Sequence, residues 1–213
     1  MNYLGQDRSD IQYAVEMICQ GMSTPTEGGR AKIKRAVRYL VGARRLVWRY
    51  AESESEDEAV VVDVFVDSDW ASGADRKSTS GGMMCVDKVG VKHWSRTQKA
   101  QALSSGEAEY YAIVTGCAEG LGLQALAEDL GWKAEVRLWT DSSAAKAVAN
   151  RRGLGKLRHV ELKWLWVQEM VKEGKVQLKT VKGSENVADH LTKQKTREEI
   201  EALLKGVGAE FRE

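Results

Sequence analysis

Hydrophobic and polar positions change their spacing along this chain, and the change separates a helical beginning from a mixed centre. Apolar residues recur every three or four positions in residues 10–21 and again in residues 30–41, which predicts two amphipathic helices. Residues 46–50 are mostly apolar or aromatic and predict a short strand. Five acidic residues then fall within residues 52–58, a pattern that indicates a solvated linker.

From residue 59 onward the pattern is that of strands and helices in alternation. Residues 59–67 are apolar and β-branched with little alternation, as in a strand covered on both faces. The segments GGMMCVD and VKHWS flank residues 88–90 and predict a hairpin. Further strands are predicted at residues 135–140 and 176–181, and helices at residues 105–130, 142–150 and 160–173 and from residues 186 and 196.

This order predicts an α/β fold, a five-stranded mixed sheet flanked by helices and preceded by a small helical segment. Strands that follow the hairpin need helical crossovers, so we expect them to run parallel to the first strand of the sheet. We divide the chain into a helical segment (1–51), an acidic linker (52–58), the α/β domain (59–195) and a C-terminal helix or tail (196–213).

Composition excludes several classes of protein. No apolar run approaches the roughly 20 residues of a membrane span, and the first residues lack a signal peptide's pattern, so we expect no membrane partner. The three cysteines have no metal-like spacing, which indicates reduced thiols in an intracellular protein. The net charge of the 213 residues is only +1, so any surface for nucleic acid has to be a local basic patch.

Four carboxylates stand where the chain changes direction. Asp67 and Asp141 end two predicted strands, Glu109 lies near the start of a long helix, and Asp189 opens a late helical stretch. Carboxylates at the ends of neighbouring parallel strands and on adjoining helices can converge, and converging carboxylates repel unless cations lie among them. The arrangement suits Mg²⁺-dependent cleavage of phosphodiesters.

Each of these acids also has a structural alternative. Asp69 shares strand parity with Asp67 and is its rival. Asp141 and Asp189 are placed to serve helix starts. Glu107 and Glu109 point to nearly opposite faces of one helix. Because Ser104 and Glu107 form a predicted capping box, Glu107 has a structural explanation and Glu109 is the better metal ligand.

The chain resembles the ribonuclease H domain of copia-type LTR retrotransposon polyproteins. The matching stretches, in family order, are DSDWASGADRKSTSGG, WSRTQKAQALSSGEAEYYA, LWTDSSAAKAVAN, RHVELKWLWVQEMV and SENVADHLTK. They span about residues 64–193, and residues 1–51 resemble the end of the family's reverse transcriptase or connection segment. The resemblance implies a ribonuclease H-like fold and hydrolysis of the RNA strand of RNA–DNA hybrids. The chain carries no polymerase motif.

The family's metal ligands carry over onto Asp67, Glu109, Asp141 and Asp189, with Glu109 again favoured over Glu107. The resemblance implies two Mg²⁺ ions, for which Mn²⁺ can substitute, and products with 5′-phosphate and 3′-hydroxyl ends. Asp67 would contact both ions, Glu109 and Asp141 one of them, and Asp189 the other.

The positions of the histidines in this chain differ from those in cellular ribonucleases H. Cellular type 1 relatives carry a mobile histidine before the last acid, but the loop VKGSENVAD has none. We expect His190 to lie on a helix surface and His159 to have a structural or substrate-side role.

The expected substrate contacts lie around the carboxylates. Ser104, Ser105 and Gly106 are placed to sense the 2′-hydroxyl in the minor groove, with Ser78 and Thr79 as weaker candidates. Trp70 is the best placed of seven tryptophans to stack on a base, whereas Trp94, Trp139, Trp164 and Trp166 follow core patterns. Basic residues expected to contact phosphates are Arg76, Lys77, Arg96, Lys99 and Arg158, together with Arg151, Arg152 and Lys156.

The expected partners are an RNA–DNA hybrid and the reverse transcriptase domain of the same polyprotein, in cytoplasmic virus-like particles or in the nucleus. Two alternatives remain. An integrase of the same fold usually has an N-terminal zinc module, for which the chain lacks the cysteine and histidine pairs. A non-catalytic domain that binds hybrid or connects to the polymerase typically loses carboxylates, and all four are present.

Overall fold

The computed structural model describes residues 1–50, 59–73, 75–153, 155 and 164–212. The acidic segment 52–58 lies outside the described residues, and so does the start of the helix predicted at 160–173. Lys156, Arg158 and His159, which the sequence marks as candidates, also lie outside them.

The first fifty residues form helices α1 (Leu4–Asp7), α2 (Ser9–Cys19) and α3 (Glu27–Gly42) and strand β1 (Arg45–Trp48). The two predicted amphipathic helices are α2 and α3. Helix α3 begins earlier than its apolar stripe predicts, because the Thr26 hydroxyl accepts a hydrogen bond from the Gly29 N–H and caps the helix. Helix α2 is fixed to the rest of the protein through buried Ile11 and Val15, each 2% exposed.

The central sheet contains β2 (Val60–Asp69), β3 (Thr79–Val86), β4 (Val89–Thr97), β5 (Ala134–Thr140) and β6 (Val176–Thr180). Its strand order is β4-β3-β2-β5-β6. Strands β2, β3 and β4 pair antiparallel, whereas β5 and β6 run parallel to β2. The predicted five-stranded mixed sheet and the predicted strand directions are confirmed.

One face of the sheet is covered by α4 (Ser105–Asp129), α5 (Ser143–Asn150) and α6 (Trp166–Lys172). Helix α4 lies close to the sheet because glycines face it. A Cβ atom at Gly116 would lie 2.5 Å from Val66 Cγ1, and one at Gly120 would lie 2.8 Å from Val136 Cγ1. The small-residue stripe in line with Glu109 therefore packs on the sheet, as the sequence predicts.

The other face is covered by the 3-10 turn Val187–Leu191, by α7 (Arg197–Lys205) and by β7 (Ala209–Arg212). Helix α7 begins at a capping box formed by Thr196 and Glu199. The helix predicted from residue 186 is a 3-10 turn. Strand β7 was not predicted, and it pairs antiparallel with β1 so that Trp48 lies opposite Ala209.

The thiols agree with the expectation of reduced cysteines. Cys19, Cys85 and Cys117 are free, and the last two are buried. Burial raises the pKa of both buried thiols to about 12. Among the described helices, none has the length and apolar character needed to cross a bilayer.

Candidate active site

Asp67 lies where the two pairings of β2 separate. Strand β2 pairs in parallel with β5 only as far as Phe65, whereas its antiparallel pairing with β3 continues to Asp69. The Asp67 side chain stands in this divergence, and the residue is 1% exposed. Thr192 donates a hydrogen bond from its hydroxyl to Asp67 Oδ2. The carboxylate is thus fixed beside the carboxyl ends of the parallel strands, where α/β sheets bind ligands.

Two more carboxylates reach the same place. Glu109 lies in the second turn of α4, and Asp141 directly follows β5. The next residue, Ser142, caps α5 by accepting a hydrogen bond from the Ala145 N–H, so Asp141 is not needed as the cap. One oxygen from each of Asp67, Glu109 and Asp141 lies within 4.8 Å of the others. We call these three residues the acidic cluster.

Burial and mutual repulsion make this cluster electrostatically costly. Burial raises the pKa of Glu109 to about 8, and the charges of Asp67 and Asp141 raise it further. Burial likewise raises the pKa of Asp67 to about 6, against the hydrogen bond from Thr192 and the charge of Lys193. Carboxylates in such surroundings either take up protons or gain a cation.

The donor set fits a hard divalent cation. All three groups offer carboxylate oxygens, the ligands that Mg²⁺ and Mn²⁺ prefer. Glu109 Oε2 is buried and has no hydrogen-bond partner within the described part of the chain. A buried acceptor without a partner is rare in proteins, and a bound cation would satisfy this one.

Asp189, the fourth predicted ligand, has different surroundings. It lies in the 3-10 turn and outside the acidic cluster. Lys193 Nζ lies 2.5 Å from Asp189 Oδ1, and Lys195 Nζ lies 2.5 Å from Asp189 Oδ2. Although partial burial opposes it, these two hydrogen bonds lower the pKa of Asp189. Its role as a metal ligand stays a prediction.

Close packing brings the turn that carries Asp189 to the end of β2. Asn186 is buried, and its Nδ2 donates a hydrogen bond to the Val66 carbonyl at 3.0 Å. Gly81 lies opposite Asp67 on β3, and a Cβ atom there would lie 2.7 Å from Thr192 Cγ2. We did not predict roles for Asn186, Thr192, Lys193 or Lys195. For Thr192 and Lys193 the sequence does hold a signal, because they follow Asp189 by three and four residues.

Glu107 faces away from the cluster, as predicted, but it does more than cap a helix. Its side chain accepts hydrogen bonds from the Leu103 N–H at 3.0 Å and from the Tyr111 hydroxyl at 2.7 Å, and the residue is 1% exposed. Ser104 caps α4 by accepting from the Glu107 N–H. The predicted capping box is therefore half right, because Glu107 binds the backbone of Leu103 instead of that of Ser104.

Three further predictions concern Asp69 and the histidines. Asp69 lies outside the acidic cluster and close to Tyr13, whose pKa is raised by burial and by the charge of Asp69. The expected surface position of His190 is wrong. It is 2% exposed, because the turn that carries it packs into the core, and burial lowers its pKa to about 4. His159 lies outside the described residues.

The predicted contacts to the hybrid divide into exposed and buried groups. Ser104 and Ser105 are exposed at the head of the helix that carries Glu109, and Gly106 is half-buried beside them. Ser78 and Thr79 are 0% and 2% exposed, which does not favour a contact with substrate, and their role stays a prediction. The Ser78 hydroxyl instead accepts a hydrogen bond from the loop that follows β2.

The predicted basic contacts in the described residues are exposed, except Arg151, which is half-buried. Arg76 and Lys77 lie in the loop after β2, and Arg96 pairs with Glu119 at 3.2 Å. Arg96 and Lys99 line one cavity of about 260 Å³. Arg151 and Arg152 follow α5, whereas Lys156 and Arg158 lie outside the described residues. The phosphate contacts of these residues stay predictions.

The tryptophans differ in burial, with some in or near the core and Trp70 exposed. Trp94 is 2% exposed, which confirms its place in the core. Trp139 is half-buried and stacks on Phe65, with ring centroids 5.8 Å apart. Trp70 is 45% exposed and donates a hydrogen bond to the Ala102 carbonyl at 3.1 Å, so its ring is held near the head of α4.

Known proteins match nearly the whole chain. No protein-family model matches it. It is 28% identical over 204 residues, 94% of its length, to the retrovirus-related Pol polyprotein from transposon TNT 1-94 of Nicotiana tabacum. It is 26% identical over 212 residues, 98% of its length, to that from transposon RE1 of Arabidopsis thaliana. The chain is therefore similar, over nearly its whole length, to retrovirus-related Pol polyproteins of transposons.

This similarity confirms the predicted resemblance. It extends over only part of each Pol polyprotein. The chain spans 15% and 14% of the length of these two Pol polyproteins. A shorter stretch of 117 residues is 31% identical to secreted RxLR effector protein 161 of Plasmopara viticola and covers 80% of that protein.

Solved structures similar to this chain include ribonucleases H. The N-terminal ribonuclease H domain of rv2228c from Mycobacterium tuberculosis aligns with 69% of this chain and 98% of its own, at 16% identity and a TM-score of 0.43. LC11-RNase H1 in complex with an RNA/DNA hybrid aligns with 61% and 92%, at 16% identity and a TM-score of 0.42. Both likenesses are remote. The ribonuclease H-like fold follows from the sheet itself, with three antiparallel strands, then two parallel ones, in the order β4-β3-β2-β5-β6.

Proposed function

We propose that this chain is a ribonuclease H that hydrolyses the RNA strand of RNA–DNA hybrids with the help of divalent cations. The observation that carries the proposal is the acidic cluster, in which oxygens from three separate elements lie within 4.8 Å. Similarity to the transposon Pol polyproteins supports it, and so does the position of the cluster at the carboxyl ends of parallel strands.

Asp67, Glu109 and Asp141 would hold one cation, and Asp67 together with Asp189 would hold a second. Bound there, divalent cations supply activation of water for attack on phosphorus and stabilisation of the departing 3′ oxygen. The products would carry 5′-phosphate and 3′-hydroxyl ends.

The protonation states of the cluster set the conditions for the reaction. Glu109 and Asp67, with pKa values raised by burial to about 8 and about 6, must lose their protons before they can hold a cation. Cation affinity should therefore increase as the pH rises from 6 to 8, and binding should release protons.

Exposed groups around the cluster would hold the substrate. Ser104 and Ser105 offer hydroxyls beside the helix that carries Glu109, where they can test for a 2′-hydroxyl. Arg76, Lys77 and Lys99 offer cations to the phosphate backbone, which predicts binding that weakens with salt and has little sequence preference.

The test is cleavage of a labelled RNA–DNA hybrid by the purified chain. We expect cleavage of the RNA strand with Mg²⁺ or Mn²⁺, none with EDTA, and no cleavage of duplex DNA. Asp141→Asn should abolish cutting and keep hybrid binding, whereas Asp129→Asn, an exposed carboxylate at the far end of α4, should leave both unchanged. Binding without any cleavage by the wild type would identify a hybrid-binding domain and overturn the proposal.

A further inference from the structure

Lys193 lies between two of the carboxylates that the proposed reaction assigns to a cation. Its Nζ is 2.5 Å from Asp189 Oδ1 and 3.5 Å from Asp67 Oδ2. The ammonium group therefore bridges the end of β2 and the 3-10 turn that follows β6. A cation shared by Asp67 and Asp189 would have to compete with this ammonium group for the same two oxygens.

The backbone around Lys193 is fixed, so this position is built into the fold. Thr192 is 0% exposed and donates a hydrogen bond to Asp67. The Lys193 N–H donates to the Asp189 carbonyl at 3.1 Å. Gly81 leaves the room that lets Thr192 approach β3. The lysine side chain thus starts beside both carboxylates and is 46% exposed, which leaves it free to swing outward.

The two ends of the site differ in how their charge is balanced. Asp189 has two lysines, Lys193 and Lys195, each 2.5 Å from one of its oxygens. In the acidic cluster, Glu109 Oε2 has no hydrogen-bond partner among the described residues. Among the described residues, no positive group pairs with Glu109, whereas a divalent cation at Asp189 competes with an ammonium group.

We propose that Lys193 is an internal counter-ion for Asp67 and Asp189, and that a second divalent cation binds there only by displacing it. The inference rests on the proposed function and adds a regulating residue to the same site. Without substrate, the protein binds one divalent cation at the acidic cluster and a second one much more weakly. Lys193 acts through the carboxylates and is a positioning residue.

A purely structural ion pair would behave differently from a displaceable counter-ion. Loss of a structural pair lowers stability and leaves the number of bound cations unchanged. Loss of a displaceable counter-ion opens the second position, so the stoichiometry and affinity of cation binding change in the absence of substrate.

The experiment is a Mn²⁺ titration of the substrate-free full chain. Binding is measured by calorimetry and by the electron paramagnetic resonance signal of free Mn²⁺. The wild type should bind one ion tightly. Lys193→Gln should bind a second ion at least about tenfold more tightly than the wild type does, equal to about 1.4 kcal/mol. Lys193→Arg keeps a positive charge and should resemble the wild type.

Lys195→Gln is the matched control. Lys195 contacts Asp189 and Glu199 but does not bridge to Asp67 in the described contacts. It should change the affinity for the second ion less than Lys193→Gln does. An unchanged second affinity in Lys193→Gln would overturn the inference. Two ions bound with equal affinity by the wild type would overturn it too, whether or not the variant folds.

The outcomes separate this inference from the proposed function. If neither the wild type nor any variant binds Mn²⁺ and no hybrid is cut, the proposed function fails. If the wild type cuts hybrid and binds one ion while Lys193→Gln behaves identically, only the role of Lys193 fails.

Discussion

The two ends of the candidate active site use the same chemical group in opposite ways. At the acidic cluster, burial raises the pKa of Glu109 to about 8 and that of Asp67 to about 6. At the other end, partial burial acts in the same direction on Asp189, but hydrogen bonds from Lys193 and Lys195 outweigh it and lower the pKa. Deeper burial at the acidic cluster and the two lysines beside Asp189 together leave Glu109 without a counter-ion among the described residues.

This difference indicates where a cation is required and where one is optional. A buried carboxylate beside other carboxylates destabilises the fold unless a proton or a metal ion neutralises it. A carboxylate held by two lysines is already neutralised. Variants that remove one group at a time should therefore affect the two ends unequally.

The largest effect is expected from Glu109→Gln on cleavage. The amide cannot supply the anionic oxygen, so the rate of RNA cleavage in a hybrid should fall at least about a thousandfold, equal to roughly 4 kcal/mol of transition-state stabilisation. Glu128→Gln, on the exposed end of the same helix, is the control and should cut normally. Normal cleavage by Glu109→Gln would remove the acidic cluster from the mechanism.

Glu107→Gln should affect stability instead of chemistry. The amide offers one acceptor oxygen in place of two, so it cannot accept from both the Leu103 N–H and the Tyr111 hydroxyl, at a cost of about 1–3 kcal/mol. Urea unfolding measures this loss, and the folded variant should still cut hybrid. If this variant were stable and inactive, the roles of Glu107 and Glu109 would have to be exchanged.

The Glu109→Gln variant should also be more stable than the wild type when no metal is present. The pKa of Glu109 is about 8 in the folded protein against 4.5 for the unfolded chain, so ionisation costs native stability as the pH rises from 4.5 to 8. Glutamine removes this cost. We expect a gain of up to roughly 5 kcal/mol at pH 9 and almost none near pH 4.5.

Thermal unfolding in EDTA across this pH range measures the gain. A gain that is independent of pH would mean that Glu109 is ionised without strain in the folded protein. Added Mn²⁺ should reverse the order, because only the wild type keeps all three ligands.

The smallest effect is expected from Lys195→Gln. Asp189 keeps Lys193, so the loss of one partly exposed ion pair should cost about 0.2–1 kcal/mol at neutral pH. The pKa of Asp189 is lowered on folding from 3.8, so the cost should shrink as the pH falls below 3.8 and the carboxyl gains its proton. Urea unfolding at several pH values tests this, and a loss as large as that of Glu107→Gln would contradict the comparison.

The sequence alone predicts the sheet because its signals are local. The apolar run before Asp67, the hairpin around residues 88–90 and the glycine stripe of α4 each depend on neighbouring residues. Crossover connections then determine the strand directions. Position after a strand, or in line with the glycine stripe, likewise nominates Asp67, Glu109 and Asp141.

What sequence reasoning missed depends on contacts between distant residues. Strand β7 contains only four residues, AEFR, and its partner β1 lies at the other end of the chain. In the sequence, Lys193 looks like an ordinary surface lysine. Only the fold brings it to Asp67 at the end of β2. His190 follows a charged residue and reads as exposed, but its turn is packed against β3 through Gly81.

The pairing of β1 with β7 has a practical consequence for the choice of a truncated fragment. A minimal fragment of residues 59–195, the natural choice from sequence, would delete both of these strands and α7 as well. Trp48, Leu204 and Phe211 would go with them, leaving Met83, Cys85 and Leu191 uncovered on one side of the sheet. Such a fragment would keep the whole acidic cluster and yet aggregate, so its inactivity would say nothing about the enzyme.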